Sequence, residues 1–175
     1  MKSFKLMLCT TLVASVFFTA CSNNAADTSG ATKNDTAAAL TSSAAEVAQQ
    51  KLDANKKLVK DFYQQLWGDK DTTAVDKYVA DNMKQHNPLL KDGKDWLKMA
   101  LRTMLTAKSV EKTTVEFEQV AADGDLVWLF VKDKAPNGKI FARVEIFRVE
   151  NGKITENWMV TEPVPEKSAN NNGYF

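Results

Sequence analysis

Apolar and polar positions along the chain fall into two successive rhythms. Between Leu52 and Leu66 the apolar residues Leu52, Val59, Phe62 and Leu66 recur at helical spacing, while Lys56, Lys57, Lys60 and Asp61 take the other side. The stretch "WGDKD" closes this helix, with Gly68 as a C-cap residue and Asp71 or Thr72 as the N-cap of the next one. "TAVDKYV" predicts that short second helix. "KDGKDWLKMALRTMLTA" predicts a third, with Trp96, Leu97, Ala100, Leu101, Met104 and Leu105 as its apolar set. Between them, "QHNP" breaks the pattern at Pro88 and places His86 at the end of a short strand or in a loop.

The rhythm then changes to a period of two. "TTVEFEQVAADGDLVWLFVKDKA" reads as two strands around Asp123-Gly124, a strong hairpin signal. "KIFARVEIFRVENGKITENWMVTEPV" reads as two more around Asn151-Gly152, and "APNGK" turns the chain between the pairs. Helices followed by an antiparallel meander define an α+β fold: three N-terminal helices packed in a curved, mainly antiparallel sheet of four or more strands. A strongly twisted sheet of this kind wraps around the helices and leaves a conical cavity.

The N-terminus has neither rhythm. Lys2 and Lys5 precede the apolar run "LMLCTTLVASVFF" and then "TAC", the layout of an export signal. "FFTACS" resembles a bacterial lipoprotein lipobox, which implies a signal over residues 1–20 and lipidation of Cys21. Residues 21–46 lack aromatics and are dominated by Ala, Ser, Thr, Asn and Asp, so they read as a flexible tether. The domain is expected to occupy 47–175. The expectation is an exported, membrane-anchored protein, on the periplasmic side of the outer membrane in a Gram-negative cell. The other cysteine, Cys9, lies inside the signal, so the domain has no disulfide or thiol chemistry. Loss of Lys2 and Lys5 with the signal takes the side-chain charge from +1 to −1, which argues against a nucleic-acid partner.

Several stretches share a likeness. "QHNP" followed by "DG" and a helix, "ADGDLVWLFV", "VEIFRVENGKITENWMV" and "PVPEKSANNNGYF" together resemble the SnoaL-like branch of the nuclear-transport-factor-2-like superfamily, over roughly residues 52–175. The resemblance implies a cone-shaped α+β barrel and a homodimer through the outer face of the sheet. In enzymatic relatives an acid, often with a histidine, projects into the cone and moves a proton beside a carbonyl. Where relatives carry a motif like "EHWDV", this chain has Asn157 for the histidine and Met159 for the aspartate. Glu145 stands where an acid is common on the preceding strand.

Glu145 is therefore the candidate catalytic base, with a polar ligand contact, a structural pair with Arg143 or a lysine, or a solvated sheet face as the alternatives. Residues 141, 143, 145 and 147 share one sheet face. A two-residue loop at Asn151-Gly152 sets Glu145 opposite Trp158, whereas a three-residue loop sets it opposite Asn157, with Met159 facing Arg143. The family pattern favours the second and gathers Glu145, Phe141, Phe147, Asn157 and Met159 on one wall. His86, the chain's lone histidine, is expected either at the mouth of the cone, touching ligand, or as a loop-shaping residue. Trp96 and Tyr63 are expected to complete the ligand contacts. One histidine cannot build the usual multi-histidine metal centre, and no phosphate loop, nucleophile elbow or zinc motif calls for a cofactor. The leading expectation is a domain that binds a small, largely apolar molecule. A proton-transferring enzyme (isomerase, cyclase or aldol-type) and a dimeric structural or interaction module are the rivals.

Overall fold

The computed structural model describes residues 33–105, 111–135 and 137–175, with side chains from residue 43 onward. The signal and Cys21 lie outside the described residues. The first helix, α1, spans Lys33–Tyr63, so it starts within the stretch read as a flexible tether rather than near Val47. Residues 43–51 are all exposed, so alanine's helix propensity rather than burial favours helix there. Its second half packs Val59, Phe62 and Tyr63 into the core.

The helix widens into a π-helical turn, Gln64–Gly68. There Gln64 donates to Thr113 O (3.0 Å) and accepts from the Val115 amide (2.9 Å), tying α1 to the approach to the sheet. Gly68 is needed for this contact rather than as a left-handed cap: an added Cβ would sit 2.6 Å from Thr113 O. The left-handed backbone falls instead on Lys70, at φ 60°. α2, Thr73–Tyr78, then starts from Thr72 at its N-cap position, and Asp71 just ahead of it accepts from the Thr73 amide (2.9 Å).

Strand β1, Val79–Gln85, comes next, and after it α3, Lys94–Leu105, which buries Leu97 and Leu101. The meander is β2 (Glu116–Asp123), β3 (Leu126–Lys134), β4 (Ile140–Glu150) and β5 (Lys153–Pro163). β1 joins it as a fifth strand, parallel to β5, giving the order β1-β5-β4-β3-β2 in a curved sheet that does not close. The architecture is the expected α+β one.

The β4–β5 hairpin departs from both expected registers. Asn151 (φ 50°) and Gly152 (φ 72°) form a two-residue turn with both residues left-handed, and Glu150 pairs with Lys153. One step further on, the ladder slips. Val149 pairs with Ile154 but Arg148 with Glu156, leaving Thr155 as an extra residue. Glu145 therefore faces Met159, Phe147 faces Asn157, and Arg143 faces Thr161. These rows point inward, where Phe62 and Tyr63 of α1 meet Phe147 edge-on at 5.9 and 6.4 Å.

Candidate functional site

Between α1, α3 and the inner faces of β4 and β5 lies a cavity of about 370 Å³. Its walls are chiefly apolar: Phe62, Leu66 and Trp67 from the first helix and its π-turn, Leu97, Leu101 and Met104 from α3, and Phe147 and Met159 from the sheet. The helical period of α1 and α3 and the two-residue period of β4 deliver these side chains to one space. The polar groups are few: Arg143, Glu145 and Asn157 on the sheet, with Gln85 and Asn87 at the end of β1. A mostly apolar wall with a few convergent polar groups is the usual make-up of a small-molecule site.

Glu145 is only 4 % exposed. Asn157 Nδ2 donates to Glu145 Oε2 at 2.8 Å and also lies near Ile146 O (3.3 Å) and Trp158 O (3.2 Å). On the other side, Arg143 Nη1 stands 3.7 Å from Glu145 Oε1, while its Nη2 donates to Asp133 Oδ2 at 2.7 Å. Asp133 thus holds the guanidinium more closely than Glu145 does. Burial pushes the Glu145 carboxyl up to about 7, against the pull of Asn157 and Arg143 in the other direction. A carboxyl poised there exchanges its proton near neutral pH, as a general base or acid must.

The wall gathers Glu145, Phe147, Asn157 and Met159, as the sequence predicts. Tyr63 is not part of the lining; it is buried behind it, in contact with Phe147, and burial raises its phenol well above the ordinary value. Trp96, half-buried on α3, and Phe141, near the start of β4, also lie outside the lining.

His86 is the larger correction. Its amide donates to Asn157 O (2.9 Å), continuing β1 alongside β5, but its ring is turned to the outer face. There it stacks on Trp158, with centroids 4.2 Å apart and planes 3° from parallel, and Nε2 lies 3.2 Å from Glu156 Oε2. The reason is alternation: Gln85 is the partner of Asn157 and shares its inward face, so the next side chain points out. Gln85, Asn87 and Arg143 are the polar lining groups missing from the sequence-based ligand set. Arg143 is signalled by its place two residues before Glu145; Gln85 has no signal until β1 is paired with β5.

Residues 59–157, more than half of the chain, match the SnoaL-like domain family. Among solved structures, an NTF-2 like protein from Burkholderia xenovorans superposes with a TM-score of 0.54 at 18% identity, covering 67% of this chain and 89% of that one. An LEH-like epoxide hydrolase of M. tuberculosis gives 0.52 at 19% identity, covering 64% and 85%. TsrD of Streptomyces laurentii gives 0.50 at 16% identity, covering 62% and 88%. No curated protein matches the chain by sequence. The structural neighbours share the fold and, at these identities, support nothing narrower. The helices, the curved sheet and the matched segment together make this chain a member of the SnoaL-like domain family.

Proposed function

We propose that this protein is exported and lipid-anchored through Cys21, and that its SnoaL-like domain holds a small, largely apolar molecule in the cavity. One polar group of that molecule sits against Glu145 and Asn157. The observation that carries the reading is the buried Glu145–Asn157 pair set into an otherwise apolar wall of about 370 Å³. Calorimetric titration with a library of lipophilic compounds tests it. At least one compound is expected to bind saturably at one site per chain, and Ala100→Trp, which fills the cavity from α3, is expected to abolish that binding. A library without a single binder overturns the reading.

A second reading is favoured by one observation, the carboxyl of Glu145 held near 7. Here Glu145 removes a proton beside a carbonyl. His86 faces away and the Asn157 amide nitrogen is already surrounded by acceptors, so the lining donors left to polarise the oxygen are Arg143 and the side-chain amides of Gln85 and Asn87. The epoxide hydrolase among the structural neighbours indicates that this fold supports catalysis, not which reaction occurs here. Glu145→Gln should stop turnover of any carbonyl substrate found; undiminished turnover removes Glu145 from the chemistry.

Export and anchoring rest on the first twenty-one residues. Cys21→Ser should move the protein from the membrane to the soluble fraction, and retention without attached lipid refutes the anchor. Homodimerisation is supported by the outer sheet face, where Phe130, Val144 and Val160 lie in one row and Val160 is 67% exposed. Light scattering that returns a monomer mass overturns it.

A further inference from the structure

We infer that the cavity selects a hydrophobic amine, whose ammonium group pairs with Glu145 and donates to Asn157 Oδ1 while its hydrocarbon runs along the apolar walls. The inference rests on the cavity being a ligand site, and it narrows the ligand to one chemical class.

The first argument is the orientation of the Asn157 amide. Three oxygens surround its nitrogen: Glu145 Oε2 at 2.8 Å, Trp158 O at 3.2 Å and Ile146 O at 3.3 Å. The two backbone carbonyls cannot donate to an amide oxygen whatever the protonation of Glu145, so the nitrogen must face them and Oδ1 must face the other way. No described group donates to Oδ1, and it is not among the sealed, partnerless atoms. Glu145 Oε1 has only Arg143 near it, at 3.7 Å. The Glu145–Asn157 pair thus offers acceptors, and a ligand that supplies donors completes it.

The second argument is charge. Arg143 is already neutralised by Asp133 at 2.7 Å, so an ionised Glu145 leaves one negative charge on the wall. Tyr63, behind the wall, stays neutral. The other elements facing the cavity add no charge: α1 and its π-turn bring Phe62 and Leu66, α3 Leu97 and Leu101, and β1 Met83 and Gln85. A buried lone charge is costly unless an opposite charge joins it. A ligand carboxylate would sit beside Glu145 and find one cationic partner already shared, with the Arg143 Nε sealed from it. An alcohol supplies the donor without the charge. An ammonium supplies both.

The test uses the whole protein and three ligands with one chain length: 1-aminodecane, 1-decanol and decanoate, titrated calorimetrically at pH 8.5 and 5.5. At pH 8.5 the amine should bind about tenfold more tightly than the alcohol, the usual margin of a charge-assisted over a neutral hydrogen bond, and decanoate should bind least. Glu145 titrates at about 7 in the empty cavity. Amine affinity should therefore fall about 30-fold at pH 5.5, where few molecules carry the ionised form, while the amine itself stays protonated. Glu145→Gln should bring the amine-to-alcohol ratio to about one. Decanoate or decanol as the tightest ligand, an amine affinity indifferent to pH, or a ratio unchanged in the variant overturns the amine assignment but leaves the cavity a ligand site. Failure of all three to bind overturns both.

Discussion

Neutralising Glu145 should make the protein more stable, by an amount that grows from about pH 4.5 and is nearly complete at about pH 7. Its carboxyl is raised from 4.5 to about 7, with burial as the first cause. A carboxyl with a raised folded-state pKa keeps its proton more tightly when folded. The stabilisation this gives is complete below pH 4.5 and is lost as pH rises through about 7. At about 1.4 kcal/mol per unit, that loss amounts to roughly 3 kcal/mol by pH 8. The carboxyls held low by partners, Asp53, Asp71, Asp76, Asp81 and Glu156, titrate below this window and do not obscure it. Glu145→Gln keeps the side-chain size and an oxygen for the Asn157 amide, while Arg143 keeps Asp133. It gives up the weaker approach of Arg143 at 3.7 Å, so the net gain at pH 8 should be about 1–3 kcal/mol. Urea denaturation of wild type and variant at pH 5 and pH 8 measures it. The variant should stay close to wild type at pH 5 and exceed it at pH 8. A wild type equally stable at both, or a variant weaker at pH 8 than at pH 5 relative to it, refutes the account of a buried, partly compensated carboxyl.

Phe147→Ala removes a buried ring contacted by Phe62 and Tyr63, and should cost about 3–5 kcal/mol in the same denaturation assay. Gly68→Ala should lose about 1–3 kcal/mol, because the new methyl meets Thr113 O at 2.6 Å and one strand of the α1-to-sheet tie must give way; thermal unfolding reads this as a lowered midpoint. Asn157→Ala deletes the hydrogen bond that holds Glu145 down, so a carboxyl carbon-13 titration should show Glu145 moving further up. His86→Ala should leave cavity-ligand affinity within about twofold, since the ring stacks on Trp158 outside; a larger loss in calorimetry contradicts that placement.

How much of this is legible in the sequence depends on where the deciding contacts lie. α2, α3 and the β2–β5 meander carry their own periodicity, and the glycine turns at Asp123-Gly124 and Asn151-Gly152 mark their ends. Glu145 stands out because a lone acid in "RVEIF" interrupts an apolar strand, and Arg143 is on its face by simple alternation. β1 is harder to see. "VADNMKQ" has little alternation of its own and becomes a strand through parallel pairing with β5, some seventy residues away. Its pairing then dictates that Gln85 faces in and His86 faces out. The start of α1 is hidden for a different reason: its first residues have the composition of a tether and the propensity of a helix, and composition alone does not choose between them.

The register of β5 shows most clearly why the site could not be read from local patterns. The Asn151-Gly152 turn alone would continue the ladder so that Trp158 met Glu145 and Glu156 met Phe147, turning Asn157 and Met159 outward. The extra residue at Thr155 reverses every face beyond it. Nothing about a threonine announces a bulge, but the electrostatics of the two registers differ sharply. Unbulged, the cavity would contain Glu156 as a second acid near Glu145, and burying another carboxylate in an apolar wall costs several kcal/mol. Bulged, Glu156 lies outside with Lys84 at 3.5 Å, His86 at 3.2 Å and Arg148 at 3.6 Å. Although partial burial acts to raise it, these partners hold Glu156 below its ordinary value. The lone histidine thus contributes to the site indirectly. By helping to receive Glu156 on the outer face, it favours the register that leaves Glu145 as the cavity's single acid, with Asn157 beside it.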